Sequence, residues 1–261
     1  MKIKIKIINQ LIDNYSYLIY DIDSKEALLV DPAEANPIIK FISINGIKLK
    51  GILITHHHSD HTSGIIQIKE KFNINVFSPN KKIIGTTDLV KDKEQINFGF
   101  INFDIISTPG HTLDHVIYYC KQEKLLFSGD TLFYYGCGRI FEGTYEQMLN
   151  SLKKIKNLPN ETQVYCGHEY TYKNLEFILD ELVHWQDRGD IKQKCRKLIK
   201  EKGSSMPFLL GLQKDWNPFL NCNDIHYKKG VSDFHKNKGQ IAPDASELEF
   251  FTYIRDKRND F

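Results

Sequence analysis

The distribution of hydrophobic residues predicts a chain that begins with many short strands. Residues Lys2–Ile8 alternate lysine with isoleucine, and this period of two indicates a strand, not a signal or transit peptide. The other strand-like segments are also short, rich in β-branched or aromatic residues, and bounded by Asp, Asn, Gly or Pro. They include Ser16–Ile22, Ala27–Asp31, Gly51–Ile54, Ile74–Ser78, Phe100–Ser107, Val116–Cys120 and Leu125–Ser128.

Helical patterns interrupt these strands at Asn36–Ser43 and at Gly64–Phe72. Residues Thr144–Gln147 match a capping box, in which two side chains satisfy each other's backbone N–H groups, and they predict a helix over Met148–Ile155. This mixture predicts a sheet-rich α/β fold in which helices cover the sheets.

After His168 the strand pattern gives way to helical patterns. The predicted helices are Thr171–Trp185, Lys192–Glu201 and one that begins at a second capping box, Ser246–Glu249, and continues to Arg258. In the first of these, Leu175, Ile178, Leu179 and Leu182 share one face. We therefore expect a sheet-rich domain over residues 1–170 and a smaller helical domain over residues 171–261.

Between these helices, the segment Asn221–Gln240 is rich in Asn, Asp, Lys and Gly. This composition predicts a mobile loop. We expect its two histidines, His226 and His235, to be solvated and not to bind metal.

Composition excludes several classes of function. The chain has 261 residues and a formal net charge of +2, from 35 basic and 33 acidic residues, so no overall field indicates nucleic acid or a membrane as partner. No apolar run approaches the roughly 20 residues of a transmembrane helix. The five cysteines are scattered and form no CxxC pair, which is typical of reduced thiols in a cytoplasmic protein.

The most informative segment is Thr55–His61, in which four histidines and one aspartate follow a short apolar run. Imidazole is the commonest protein metal ligand, and carboxylate oxygen suits a borderline ion such as Zn²⁺. In an extended loop, residues two apart project to the same side, so His56 and His58 can bind one metal while His57 points away. The alternative is a solvated histidine-rich loop that chelates an adventitious ion.

Further candidate ligands stand at the ends of other strand-like segments, of which the last is Val164–Cys166. They are His111, Asp130 and His168, each directly after a glycine that lets the backbone turn tightly. With Asp60 and His61, the set reaches seven ligands, which suits two metals if one carboxylate bridges them. The other histidines have structural interpretations: His115 begins a strand and is expected to pack or to support the ligands, and His184 lies in a helix.

The motifs HxHxDH, TPGHT, SGD and GHE, in this order, resemble those of the metallo-β-lactamase superfamily over roughly residues 10–185. That resemblance implies an αββα sandwich. A closer resemblance is to the glyoxalase II family, the hydroxyacylglutathione hydrolases. Its THHHxDH, GCGK/R-x-x-EGT and GHEYT patterns correspond here to Thr55–His61, Gly136–Thr144 and Gly167–Thr171, and its helical C-terminal domain ends in a basic cluster similar to Tyr253–Arg258.

The resemblance implies a role for each candidate residue. The implied ligands are His56, His58 and His111 for one divalent metal ion and Asp60, His61 and His168 for a second, with Asp130 bridging them. The implied substrate-binding residues are Arg139, Phe141, Tyr170, Arg255 and Arg258. The family often has Tyr in place of Phe141 and Lys in place of Arg258, and the segment Asn221–Gln240 looks expanded. Without the resemblance, Arg255 and Arg258 would be interpreted as solvated helix charges.

The activity implied by the resemblance is hydrolysis of S-D-lactoylglutathione and related 2-hydroxyacylglutathiones to glutathione and D-lactate. The nucleophile would be a hydroxide held by two metal ions, with Zn expected and Fe or Mn also compatible with His and Asp ligands. The partner would be this small glutathione thioester, and the protein a monomer or a weak homo-oligomer. Two alternatives stay open: a mononuclear iron persulfide dioxygenase of the same fold, and a non-catalytic module that binds metal or glutathione conjugates.

Overall fold

The computed structural model describes residues 2–182, 188–234, 241–242 and 244–261. In the described part of the chain, the first of two six-stranded sheets contains consecutive strands in chain order. They are β1 (Ile3–Gln10), β2 (Asn14–Asp21), β3 (Glu26–Val30), β4 (Lys48–Leu53), β5 (Asn75–Ser78) and β6 (Asp88–Leu89). The first three strands are antiparallel, and β3 to β6 are parallel.

The second sheet is formed by strands from the middle of the chain and one short strand from the helical region. Its members, in spatial order, are β7 (Gln95–Asn97), β8 (Asn102–Ser107), β9 (Val116–Cys120), β10 (Leu125–Gly129), β13 (Gln163–Cys166) and β14 (Phe208–Leu209), while β11 (Leu132–Phe133) and β12 (Gly136–Cys137) form a separate ribbon. Strands β10 and β13 are parallel. The other neighbours in this sheet are antiparallel.

The helices cover the outer faces of the sheets and form most of the C-terminal region. They are α1 (Ala35–Asn45), α2 (Ser59–Thr62), α3 (Ile65–Phe72), α4 (Tyr145–Lys156), α5 (Thr171–Phe177), α6 (Arg188–Lys202), α7 (Leu210–Trp216), α8 (Ile225–Phe234) and α9 (Glu247–Asp260). A π-helical turn, Ile178–Leu182, continues α5, and a 3-10 turn, Pro218–Leu220, follows α7. Both predicted capping boxes are present, at the starts of α4 and α9.

Alternation along the strands explains why the sheets stack. In β2, Tyr17 faces the layer between the two sheets, while the next residue, Leu18, packs under α1 and α3. In β3, Leu28 and Leu29 divide between the same two layers. Because side chains in a strand alternate between faces, these strands are hydrophobic on both sides and must be covered twice. The αββα sandwich implied by the family resemblance is therefore confirmed.

The predicted helix after residue 170 forms as α5 and its π-helical continuation. Leu175, Ile178, Leu179 and Leu182, which were expected to share one face, are all fully buried. The last positions of the predicted helix, including His184, lie outside the described residues. The division into domains at residue 170 stays a prediction, and β14 from beyond that point pairs with β13.

The prediction of a mobile loop over Asn221–Gln240 is wrong for residues 225–234, which form α8. Val231 is fully buried in the core, and the hydroxyl of Tyr227 donates to the carbonyl of Trp216 at 3.1 Å. The amine of Lys228 donates to a backbone carbonyl near the start of α9 at 2.8 Å. These tertiary contacts stabilise a helix that its polar composition does not predict. Residues 235–240, including His235, lie outside the described part, and so does the side chain of His226.

Within the described residues, no helix combines the length and the apolar content that crossing a membrane requires.

Replacing Leu29 with alanine tests the layer between the first sheet and its helices. Leu29 is fully buried there, so Leu29→Ala should lower the free energy of unfolding by about 2–5 kcal/mol through lost burial and a residual cavity. Urea unfolding followed by circular dichroism measures the change. The matched control Ile44→Ala, on a side chain that is 72% exposed, should shift it by less than about 0.5 kcal/mol. Equal effects of the two variants would contradict this description of the core.

Candidate metal centre and substrate cavity

The predicted ligands meet at one edge of the sandwich because each follows the end of a strand. The loop after β4 carries His56 and His58, and the short helix α2 that follows carries Asp60 and His61. Strands β8, β10 and β13 lead to His111, Asp130 and His168. The parallel pairing of β3 with β4 and of β10 with β13 places their carboxyl ends side by side. A rigid sheet edge therefore holds loops that are far apart in sequence.

Three histidine nitrogens form the first group. Nδ1 of His58 lies 3.1 Å from Nε2 of His56 and 3.0 Å from Nε2 of His111. Ligand nitrogens about 2.0–2.1 Å from a tetrahedral Zn²⁺ are separated by about 3.3 Å, so this spacing suits one shared ion. These three side chains could therefore hold one metal.

The second group combines one carboxylate with two histidines. Nε2 of His168 lies 3.3 Å from Nε2 of His61 and 3.4 Å from Oδ2 of Asp60. The same Asp60 oxygen is 3.6 Å from Nε2 of His61. These three residues could hold a second metal.

Asp130 lies between the two groups. Its Oδ2 is 3.3 Å from Nε2 of His111 and 3.2 Å from Nε2 of His168, and its Oδ1 is 3.5 Å from Nε2 of His61. Oδ1 is buried without a hydrogen-bond donor, which is costly for a carboxylate unless a cation compensates it. A Cβ on Gly167 would stand 2.2 Å from this oxygen, so only glycine fits beside it. These residues therefore fit a pair of bridged cations.

The opposite nitrogen of each of four histidines is held by a neighbouring oxygen. The pairs are His56 Nδ1 with Thr55 Oγ1 (3.0 Å), His61 Nδ1 with Asp31 Oδ2 (3.1 Å), His111 Nδ1 with the Arg139 carbonyl (2.7 Å) and His168 Nδ1 with Asp13 Oδ1 (2.9 Å). A proton on each Nδ1 leaves Nε2 free as a lone-pair donor. Such partners fix the tautomer and the ring orientation that metal ligation needs.

Three residues that support the ligands, Asp13, Asn14 and Asp31, were not predicted from the sequence. Asp31 directly follows β3, as the candidate ligands follow their strands. Its position after a strand could therefore have identified it from the sequence. Asp13 ends the turn between β1 and β2 and Asn14 begins β2, where such residues are usually interpreted as turn formers. In the structure, the side-chain amide of Asn14 donates to Oδ2 of Asp60 at 3.0 Å. Only the fold brings this hairpin to the site.

Burial and the neighbouring carboxylates shift the pKa values of the candidate ligand histidines in opposite directions. Burial lowers the pKa of His56 well below its ordinary value and also lowers that of His58, so both offer lone pairs near neutral pH. Burial also disfavours a charged His61, but Asp130 and Asp31 outweigh it and raise the pKa of this ring to about 10. The carboxylates therefore favour a cation here, and a metal ion can replace the proton.

The two remaining described histidines have other contacts. His57 faces Asp114 and Glu142, away from the shared ligand nitrogens. His115 is buried, and its Nε2 accepts the backbone N–H of Asp130 at 3.0 Å, which orients the carboxylate. This supporting position agrees with the expectation from sequence.

A cavity of about 620 Å³ opens above the ligands, and the expected substrate-binding residues line its wall. They are Arg139, Phe141, Tyr170, Arg255 and Arg258. The ring of Tyr170 stacks on that of His168 with centroids 4.8 Å apart. A cavity of this size can enclose a ligand of several hundred daltons.

The two arginines from α9 are not solvated helix charges. Arg255 is only 5% exposed; one terminal nitrogen donates to the carbonyl of Cys137 at 2.8 Å, while its Nε is buried without a partner. Nε of Arg258 donates to Oδ1 of Asn174 at 3.1 Å. Burial and the nearby Arg255 lower the pKa of Arg258. Two crowded guanidinium groups in one wall favour an anionic ligand.

Two family matches together cover nearly the whole chain. Residues 11–168 match the family described as "Metallo-beta-lactamase superfamily", and residues 169–261 match "Hydroxyacylglutathione hydrolase C-terminus". Among solved structures, the BLEG-1 B3 metallo-beta-lactamase has a TM-score of 0.64 at 26% identity, covering 83% of this chain and 99% of that chain. A metallo-beta-lactamase from Staphylococcus aureus, with a TM-score of 0.65 at 22% identity over 98% of this chain and 73% of its own, shares the fold.

Curated relatives are similar over most of the chain. The hydroxyacylglutathione hydrolase of Pelagibacter ubique is 47% identical over 233 residues, covering 88% of this chain and 95% of the relative. That of Photobacterium profundum is 40% identical over 254 residues, covering 95% of this chain and 96% of the relative. The chain therefore belongs to the metallo-β-lactamase superfamily and, within it, to the hydroxyacylglutathione hydrolase family.

Proposed function

We propose that this protein hydrolyses S-D-lactoylglutathione and related 2-hydroxyacylglutathiones to glutathione and D-lactate, the second step of methylglyoxal detoxification. The observation that carries the proposal is the pair of ligand groups, joined by Asp130, at the floor of a cavity whose wall contains Arg255 and Arg258. The relatives' names favour this thioester hydrolase over the iron persulfide dioxygenase and over the non-catalytic binding module.

Two divalent cations would occupy the ligand groups. The proposed ligands are His56, His58 and His111 for one ion and Asp60, His61 and His168 for the other, with Asp130 shared. Bound there, the ions would make water acidic enough to serve as a nucleophile at neutral pH and would polarise the thioester carbonyl. Zn²⁺ suits this donor set, and Fe or Mn ions are compatible with it.

The cavity wall would bind the glutathione part of the substrate. Glutathione carries two carboxylates, and the guanidinium groups of Arg255 and Arg258 offer paired donors to such groups. Arg139 and Tyr170 would provide further contacts along the wall. Phe141 has no hydroxyl, so it contributes an apolar surface where the family often has a tyrosine. Arg258, in place of the lysine common in the family, keeps the charge but presents a planar fork.

The chemistry of the leaving group decides which catalytic side chains the site needs. Glutathione departs as a thiolate, and a thiol pKa near 8.5 means that no strong general acid is needed. The site accordingly needs no Ser-His-Asp or Cys-His set. Phe133, Phe141 and Tyr170 line the cavity next to the ligands and would limit the access of bulk water to the bound thioester.

The cellular setting that we propose is the cytoplasm. All five cysteines are buried free thiols, which suits a reducing compartment. We further propose that the protein acts as a monomer or a weak homo-oligomer, with no nucleic-acid or membrane partner.

The proposed activity is tested by measuring thioester loss from S-D-lactoylglutathione in a spectrophotometric assay, with metals counted on the same sample. We expect turnover and about two divalent ions per chain. Chelation should abolish turnover, and added Zn²⁺ should restore it. A single iron per chain with oxygen uptake would instead indicate the dioxygenase, and metal binding without turnover would indicate the module.

Replacing Asp130 with asparagine tests the bridging carboxylate. Asp130→Asn should lower the metal content, since a neutral amide is a poor bridging ligand for two cations. Elemental analysis of the purified variant measures this loss. Asp23→Asn, the same substitution on an exposed side chain, is the matched control and should keep full occupancy. Full occupancy of Asp130→Asn would refute the bridge.

Replacing Arg258 with alanine tests the substrate wall. Arg258→Ala should raise KM more than it lowers kcat, because the guanidinium would bind a part of glutathione remote from the reacting carbonyl. Steady-state kinetics with S-D-lactoylglutathione separates the two parameters. The neighbouring cation Lys257 does not line the cavity, so Lys257→Ala should leave KM unchanged. A large loss of kcat at constant KM would exclude a pure binding role.

A further inference from the structure

The central histidine of the triplet links two carboxylates from different loops. Nδ1 of His57 lies 3.0 Å from the carboxylate oxygens of Asp114, and Nε2 lies 3.3 Å from Oε1 of Glu142. The two nitrogens of one ring therefore face carboxylates from two different loops. The His57 and Glu142 side chains are 34% and 37% exposed, so the contact is partly shielded from water.

Asp114 provides the fixed end of this link. Its carboxylate also accepts hydrogen bonds from the hydroxyl of Thr112 at 2.7 Å and from the amide of Asn80 at 3.0 Å. Its side chain is 13% exposed. Burial alone would raise the pKa of Asp114, but the bonds from Thr112, His57 and Asn80 lower it, so the group is anionic near neutral pH.

Glu142 provides the other end, on the segment of residues 139–143. Its Oε2 accepts the backbone N–H of Leu113 at 2.9 Å. The same segment contacts the loop around His111: the N–H of Phe141 donates to the His111 carbonyl at 3.2 Å, and Nδ1 of His111 meets the Arg139 carbonyl at 2.7 Å. The side chain of His57 thus joins the loop of the first ligands to the segment that faces His111.

The 139–143 segment carries two residues of the cavity wall and has no regular secondary structure. Phe141 is 60% exposed, and its ring meets those of His58 and His111 at centroid distances of 5.6 and 5.2 Å. The guanidinium of Arg139 lies 5.5 Å above the Phe141 ring. Because neither side chain is buried, its position depends on where the backbone of the segment is held.

We propose that His57 is a positioning residue for substrate binding: through Asp114 and Glu142 it holds the 139–143 segment so that Arg139 and Phe141 form the cavity wall. The inference rests on the proposed function and explains why a histidine that is not a candidate ligand stands inside the ligand loop. Asp114 and Glu142 belong to this link and not to a further metal site, because their oxygens contact different nitrogens of the His57 ring.

Kinetics of His57→Ala, Glu142→Ala and the double variant test the link. We expect His57→Ala to raise KM for S-D-lactoylglutathione roughly threefold to tenfold, as partly exposed side-chain contacts are of modest strength. We expect kcat to stay within about twofold and the metal content to stay unchanged, because the link would affect binding of remote substrate groups. The double variant should have a KM no higher than that of Glu142→Ala alone, since both substitutions remove the same contact between His57 and Glu142.

Two further variants separate positioning from a general structural effect. His57→Gln should recover part of the lost affinity, because its amide can still donate to one carboxylate. Glu146→Ala removes an exposed acid from the first turn of α4 and should leave KM unchanged. Calorimetry with glutathione, which contains the recognised part of the substrate, should show the same loss of affinity in His57→Ala without relying on turnover.

Several results would overturn the inference. They are an unchanged KM and an unchanged glutathione affinity in His57→Ala, a fall in its metal content, or additive effects in the double variant. Wild-type protein without thioester turnover would refute the proposed function. The glutathione affinities of the wild type and of His57→Ala would then still test whether His57 positions the 139–143 segment.

Discussion

The carboxylate of Asp130, held between two groups of histidine nitrogens, is the contact on which the rest of the site depends. It lies 3.2–3.5 Å from nitrogens supplied by loops after three different strands. The backbone around it has no spare room: a Cβ on Gly129 would stand 2.6 Å from the hydroxyl of Thr55, and one on Gly167 would clash with Asp130 itself. Strands β4, β10 and β13 must therefore keep their relative positions to within a fraction of an ångström.

The sandwich keeps these strands in place because its stabilising apolar layers and its polar site occupy different parts of the fold. Its two apolar layers are formed by residues that alternate along β2 and β3, while the polar site occupies only the loops at one edge. A cluster of buried carboxylates and imidazoles is costly to desolvate, and metal ions would offset that cost. The supporting oxygens of Asp13, Asp31 and Thr55 hold the rings in place.

The wall of the cavity combines two parts of the chain that are distant in sequence. Arg255 and Arg258 come from α9, whereas Arg139 and Phe141 come from the segment before α4. Arg255 reaches across to the carbonyl of Cys137, so the C-terminal helix is bonded directly to the ribbon beside the ligands. Recognition of glutathione and activation of the thioester would thus be coupled through one cavity.

The sequence by itself predicted strands β1–β5 and β8–β10, the capping boxes of α4 and α9, and seven candidate ligands, because alternation, caps and histidine spacing are local properties. It did not predict the two- and three-residue strands, whose pairing depends on the rest of the sheet. The two-layer arrangement and the substrate residues followed from resemblance to a family. Helix α8 was missed because its stability comes from the burial of Val231 in the core, which polar neighbours conceal in the sequence. Only the tertiary structure decided the burial of Arg255 and the partners of His57, since these contacts join residues up to 118 positions apart that no local pattern relates.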